Sequence, residues 1–449
     1  MGRDYRISIW HASCLQLVYQ WCPDWISFSD SSFREQRAVS IAEKKFCANL
    51  SDRVKNASPS ATVAITEVAR RLAAEGRTII SLSVGELDFD TPTHIQQAAI
   101  RGMSEGHTRY TNVGGMPSLK TAIARKFARD NALEYQPAEI IASTGAKQIL
   151  FNALLATLNP GDEAIVVAPY WVSYSEMVKI AGGVPVQVTP DEAAQFKLTP
   201  ALLAAAVTPS TRWLILNAPS NPSGALYSAD ELRALADVVR QHPAMMVMAD
   251  DIYEEIVFEG EFVSFAQAAP DMRDRTLTIN GVSKTYAMTG WRLGYAGGPE
   301  WLIKAMALLQ SQSTSNPSSI SQVAAQAALD GPQDFLDDWR ERLRVRRDLA
   351  LRILRRAFPV LRVPQAPQGA FYLYINCAGA IGMKTPAGDI IANDEDMTRY
   401  LLERAGVAVV PGTAFGLAPY LRVSYALADD RLERACELIV EACSALARD

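Results

Sequence analysis

The chain has 449 residues, 49% hydrophobic and 21% charged, which is the balance of an ordinary globular protein. Its 44 Lys and Arg against 49 Asp and Glu leave a formal net charge of -5, which disfavours a nucleic-acid binder acting through bulk charge. No stretch approaches the roughly 18 consecutive apolar residues of a membrane-spanning helix, and a single core stops growing near about 250–300 residues, so two domains are expected.

Residues 1–48 read as a poorly ordered extension. They hold Trp10, Trp21 and Trp25, the cysteines Cys14, Cys22 and Cys47, and His11, without a helical or alternating pattern. Polar His11, Gln16 and Gln20 interrupt the apolar stretch and no A-x-A site follows, which argues against a secretory leader. From about residue 60 the pattern turns regular. Helices are predicted over 92–103, 117–129, 146–157 and 174–181. Strands are predicted over 79–84, 139–142, 163–167, 184–188, 212–216, 245–248, 276–279 and 293–296. Strands alternating with helices define an α/β fold, a mostly parallel sheet with helices on both faces. The last third reads differently. Helices are expected over 302–309, 320–328 and 334–357, the last with Arg340, Arg342, Arg344, Arg346 and Arg347 on solvated faces. Strands at 371–375, 407–410 and 421–424 and a closing helix over 430–445 suggest a smaller α+β domain. The expected division is an extension (1–48), a segment belonging with the small domain (49–90), a large domain (91–310) and a small C-terminal domain (311–449).

The six cysteines form no CxxC pair and no Cys/His cluster, so no metal site and no disulfide framework is expected, and a reducing cytoplasm fits. No GxGxxG follows a strand, and GxxxxGK[ST], HExxH and GxSxG are absent. Only four histidines are present, and His94 and His107 read as polar helix-surface residues.

Chemistry concentrates elsewhere. The chain has 11 lysines against 33 arginines, and Lys284 follows a predicted strand within Ser283-Lys284-Thr285-Tyr286-Ala287-Met288-Thr289-Gly290-Trp291-Arg292. A lysine amine can condense with an aldehyde, which a guanidinium cannot. Asp250 and Asp251 follow the apolar run Met245–Met248, at the strand end where doubly wound sheets bind ligands. A carboxylate there can hold a pyridinium N–H, although a helix N-cap or a solvated turn would also read this way. Ser143-Thr144-Gly145-Ala146-Lys147 opens a helix after a strand, where free N–H groups suit a phosphate. Asn217–Gly224 is a turn-rich loop after another strand.

Taken in order, these residues resemble the fold-type I pyridoxal-phosphate (PLP) aminotransferases of class I/II, a three-layer sandwich. Further runs carry the likeness: Pro59–Ala64, Gly85–Pro92, Pro169–Tyr174, Ala287–Arg292 and Val409–Gly412. The resemblance spans about residues 51 to 445 and is nearest the aspartate aminotransferases of thermophilic and rhizobial bacteria. It implies that Lys284 carries the cofactor and shuttles the proton, with Ser283 beside it. Asp250 would pair with the pyridine nitrogen, and Tyr253 and Asn221 with the ring oxygen. Trp171 would stack on the ring, and Gly145, Ala146 and Arg292 would hold the phosphate. Tyr110 would reach a phosphate in the partner of a homodimer. Arg422 would clamp the substrate α-carboxylate beside Gly85. Lys147, with Thr62, Trp171 and Asn221 nearby, would read a second carboxylate, implying aspartate, glutamate and their 2-oxo acids. Prephenate is a further acceptor of some members carrying this lysine and threonine. Leu87, Asp251, Ser58 and Gly281 depart from residues common in the family, and the loss of a lysine at Ser58 weighs most on the dicarboxylate expectation. Other PLP reactions, β-elimination or decarboxylation, stand as alternatives. So does a PLP-domain transcription regulator, for which residues 1–48 are too short to supply a DNA-binding domain and linker.

Overall fold

The structure, a computed structural model, describes residues 49–363 and 366–448, so the extension expected over 1–48 lies outside the described residues. The chain divides into two units, one up to Pro59 and one from Ser60 onward. The described part of the first holds one short helix, Asp52–Lys55. The second carries three sheets.

The largest sheet is built from β2 (Ile140–Ser143), β3 (Glu163–Val167), β4 (Val184–Val188), β5 (Thr211–Asn217), β6 (Met246–Asp250), β7 (Thr276–Gly281) and β8 (Gly294–Gly297), following β1 (Ile80–Ser81) in the chain. Its order is β2-β8-β7-β6-β5-β3-β4. β8 runs antiparallel to β2 and β7, and the remaining neighbours are parallel. Alternation within each strand sends side chains to two separate cores. Ala164, Val166, Trp213, Ile215 and Met248 pack under the helices Ala146–Thr157, Ser173–Ile180 and Glu300–Ser311. Ile165, Leu214, Leu216, Val247 and Ala249 point the other way, against the helix Ala229–Arg240. Beyond β2 and β8, the helices Thr93–Ser104, Pro117–Asn131 and Ser319–Asp330 close a third core around Ile140, Ala142 and Tyr295. The result is a sheet between two helical layers, as the sequence pattern predicts.

The other sheets are smaller. β9 (Tyr372–Asn376), β11 (Val410–Pro411) and β12 (Tyr420–Ser424) form an antiparallel sheet in the order β11-β12-β9, and β1 pairs in parallel with β10 (Val407–Ala408). The helices Phe335–Leu354 and Asp429–Ser444 pack on this region. The single strand expected over 407–410 is therefore two short strands in different sheets, parted at Val409 because each half pairs with a different partner.

Arg346 and Arg347 correct the sequence expectation. Both are buried rather than solvated. They lie three and four residues after Leu343 and pair with the buried face that holds Leu336, Leu343 and Ala350. Arg346 donates to both Asp88 oxygens (2.6 and 3.0 Å) and to Asp429 (2.7 Å). Arg347 pairs with Glu259 at 2.9 Å and donates to the Pro367 carbonyl at 2.9 Å. The dense alternation of charges hid a helical period that these ion pairs make compatible with burial. His94 is also half-buried, facing the Phe335 ring at 6.3 Å.

Candidate active site

Strand ends position the chemistry. β5 ends at Asn217, β6 at Asp250 and β7 at Gly281, all on the edge where β2 hands over to Gly145 and the helix Ala146–Thr157. A cavity of about 460 Å³ opens there. That volume suits a cofactor with a small substrate. It is lined by Lys284, Asp250, Tyr253, Trp171, Asn221 and Arg422, together with Gly85, Ala146, Lys147, Ser283, Arg292 and Thr62. The expected residues thus converge from across the chain, with two exceptions. Gly145 sits just behind the wall, where a Cβ would come within 2.5 Å of the Arg292 guanidinium. Tyr110 lies outside the cavity and is 91% exposed.

Lys284 stands on the short helix Val282–Thr285 and its Nζ donates to the Gly85 carbonyl at 2.5 Å. Burial pulls its pKa down to about 8, Arg422 and Arg292 add to the effect, and Glu86 and Asp250 oppose it. A fraction of the amine is therefore uncharged near neutral pH, as a nucleophile or base requires.

Asp250 is buried, and burial raises its carboxyl to about 6 against the hydrogen bond from Tyr174, the Ile252 N–H and the charge of Lys284. Tyr174 donates to Oδ2 at 2.6 Å, while Oδ1 has no partner among the described residues. A buried carboxylate oxygen left open is costly and wants a donor. The carboxylate is aligned from behind by Asn217, whose Nδ2 donates to the Asp250 carbonyl at 2.7 Å and whose Oδ1 accepts from the Asn221 N–H at 2.8 Å.

Arg422 is buried on β12. It donates to Asn221 Oδ1 at 3.1 Å and to the Ser83 carbonyl at 2.5 Å, and its Nε lacks a partner among the described residues. Lys147 Nζ lies 4.7 Å from the Trp171 ring centroid, and burial, then the nearby Arg292, lower its pKa. Arg292 holds φ 54°, which turns the chain back toward Gly145, and it donates to the Thr289 carbonyl at 2.8 Å.

Tyr174 and Tyr372 are among the cavity residues that escaped the sequence reading. Tyr174 belongs to the quoted run Pro169–Tyr174, three residues after Trp171, and that spacing was its only signal. Tyr372 sits in a strand where it reads as a core aromatic, yet its hydroxyl lies 2.9 Å from that of Tyr253 and would overlap any Cβ placed on Gly85. Gly85 is therefore held to glycine by Tyr372 as much as by any ligand.

The donor set fits the cofactor that the sequence implies. The open Asp250 oxygen suits a pyridine N–H, the amine of Lys284 suits an aldehyde, and the helix start at Ala146 with Arg292 suits a phosphate. A doubly wound sheet with such a lysine and carboxylate at its C-terminal edge fits the class of enzymes that work on amino compounds through a bound aldehyde. The family model described as aminotransferase class I and II matches residues 77–439, and the chain belongs to that family: it is an aminotransferase. The family implies PLP as its cofactor. The chain is 54% identical over 400 residues to an aspartate/prephenate aminotransferase of Cereibacter sphaeroides, covering 89% of this chain and 100% of that protein. It is 53% identical to an aspartate aminotransferase of Rhizobium meliloti, over 85% of this chain and 94% of that one. A crystal structure of the aspartate aminotransferase from Rhizobium meliloti superposes with a TM-score of 0.86 at 51% identity, covering 89% of this chain and 100% of its own. The Thermus thermophilus aspartate aminotransferase with maleate gives 0.82 at 42%, covering 88% and 99%. These relatives do not favour the β-elimination, decarboxylation or regulator alternatives.

Proposed function

We propose that the chain moves the amino group of aspartate or glutamate to a 2-oxo acid in two half-reactions at this cavity, with PLP as the carrier. The observation that carries the reading is the open Asp250 oxygen in one cavity with the lysine amine and the buried Arg422. When bound, the cofactor supplies an aldehyde that takes the amino group and a ring that stores the electron pair released at the substrate Cα. Asp250 keeps the ring nitrogen protonated. Tyr253 and Asn221 donate to the ring oxygen, and Trp171 covers the ring face. Gly145, Ala146 and Arg292, with Ser283 nearby, hold the phosphate. Arg422 receives the α-carboxylate as a fork of N–H donors. Lys284 Nζ would take the proton from Cα and pass it to the cofactor carbon that carried the aldehyde within the same half-reaction, the reverse transfer completing the second.

Lys147 beside Trp171 supplies the cation for a second carboxylate, and the maleate held by the Thermus enzyme is a dicarboxylate of that kind. Thr62 on the cavity wall and the name of the Cereibacter relative support prephenate as a further acceptor. The exposure of Tyr110 supports a homodimer in which it completes the partner's phosphate site. We place the enzyme in the cytoplasm, and we retain the division into a large domain over 91–310 and a small one joining 49–90 to 311–449. The test is a half-reaction screen: PLP-loaded protein is mixed with single L-amino acids and the visible band is followed. Fast conversion with aspartate and glutamate and slow conversion with alanine and phenylalanine is expected. Equal rates for all four would refute the dicarboxylate assignment.

A further inference from the structure

Tyr372 is buried on β9 and lines the cavity without a role in the scheme above. In the β12–β9 register Arg422 faces Tyr374, so Tyr372 lies two residues along on the same face, within diagonal reach of the guanidinium. The Arg422 guanidinium carbon accordingly lies 4.6 Å from the Tyr372 ring centroid. The Tyr372 and Tyr253 rings are nearly perpendicular (84°) with centroids 6.0 Å apart, so they meet through their hydroxyls, at 2.9 Å. The Tyr372 oxygen also abuts Gly85, whose carbonyl accepts from Lys284. Burial raises the pKa of both phenols, so both keep their protons. Each hydroxyl has one hydrogen. If Tyr253 donates its own toward the cofactor, the hydrogen between the two oxygens comes from Tyr372.

We propose that Tyr372 is a positioning residue: its hydroxyl donates to Tyr253 and its ring supports Arg422, so one side chain sets both the group facing the cofactor and the group holding the substrate carboxylate. The proposal rests on the roles given to Lys284, Tyr253 and Arg422 above. Donation from Tyr372 polarises the Tyr253 O–H and strengthens the bond it makes outward. That bond favours an anionic ring oxygen and so lowers the pH at which the Lys284 nitrogen gives up its proton in the loaded enzyme. Glu86, Asp250, Arg292 and Arg422 are the charged groups that face Lys284. Arg422 and Asp250 also face Tyr253. None of these six residues is altered by Tyr372→Phe.

The experiment titrates the visible band of PLP-loaded wild type, Tyr372→Phe, Tyr253→Phe and the double variant. Tyr372→Phe should raise the midpoint by a few tenths of a pH unit, the roughly 10–30% that one added donor contributes to the neighbouring bond. Tyr253→Phe should raise it further, and the double variant should match Tyr253→Phe alone. Maleate binding should change less than about two-fold in Tyr372→Phe, which keeps the ring, and weaken about ten-fold in Tyr372→Ala, which loses it. A Tyr372→Phe midpoint within about 0.1 pH unit of wild type overturns the proposal, as does the same shift persisting without the Tyr253 hydroxyl. A wild type without a titrating band, or a Lys284→Ala variant that keeps one, overturns the underlying roles and this inference with them.

Discussion

Tyr174→Phe is a sharp test of the carboxylate at the centre of the site. The substitution removes one hydroxyl, 2.6 Å from Asp250 Oδ2, and leaves the ring in its edge contact with Trp171 at 5.4 Å. A hydrogen bond to a charged acceptor is worth about 1.5–3 kcal/mol net, which is about one to two pH units. That bond holds the Asp250 carboxyl below where burial alone would put it, and with it the carboxyl stands at about 6. Without it the carboxyl protonates at higher pH, and only the ionised form pairs with a pyridine N–H. The ionised fraction at pH 6 then drops about five- to fifty-fold, while at pH 9 both proteins are almost fully ionised. PLP affinity, measured by absorbance titration of the unloaded protein, should fall by that factor at pH 6 and converge with wild type at pH 9. A loss that is uniform across pH, or no loss at pH 6, would refute the reasoning.

Four further outcomes follow from the same geometry. Capture of PLP by the unloaded protein should accelerate as pH rises through about 8, the value to which burial brings Lys284. Stopped-flow rates that keep climbing toward pH 10 would contradict this. Lys147→Met should raise KM for aspartate and 2-oxoglutarate about ten-fold, the worth of one charge-assisted contact, and leave alanine almost unchanged; equal effects on both would remove its assignment. The unloaded protein should lose stability with pH. The folded Asp250 holds its proton up to about 6 against an ordinary 3.8, so the folded state binds more protons in that window and stability falls as pH rises through it. Asp250's share of the loss is at most about 3 kcal/mol, and Asp250→Asn should remove that share alone, since burial also raises the neighbouring Asp251 and Glu255, as denaturant melts of both proteins at pH 4 and 7 can show. Arg346→Met should cost about 1–3 kcal/mol, chiefly by leaving the partly buried Asp88 without its two donors, the largely exposed Asp429 adding little; a melt within about 0.5 kcal/mol of wild type would show these pairs contribute nothing.

Much of this site is legible in the sequence because its chemistry-bearing residues follow strand ends, and strand ends are what alternating apolar runs mark best. Asp250, Lys284 and Asn221 each lie within a few residues of such an end. β3, β4 and the helix Ala146–Thr157 run over the residues the pattern predicts, because β3 is an apolar run buried at its centre, β4 is a valine-rich edge strand, and turns bound both. Residues whose roles depend on a neighbour brought in by the fold were not legible. Tyr372 reads as core, and only its meeting with Tyr253, 119 positions away, shows otherwise. Arg346 reads as surface until Asp88, 258 positions away, is seen beneath it. Local pattern reports burial and period. It does not report which distant polar group supplies the partner that makes a buried charge tolerable.

Two of the six unpartnered buried side-chain atoms among the described residues line the cavity. A folded chain rarely leaves buried polar atoms open, since each costs about 1–3 kcal/mol. Here Asp250 Oδ1 and Arg422 Nε are both open, one anionic and one cationic, on two elements facing a single cavity. The other nitrogens of Arg422 are spent on Asn221 and the Ser83 carbonyl, and the other oxygen of Asp250 accepts from Tyr174. A ligand that brings a cationic N–H to one and a carboxylate to the other relieves both penalties together, whereas a ligand offering only one relieves half. The preorganised cost thus favours a cofactor and an amino acid bound side by side, the arrangement amino-group transfer requires.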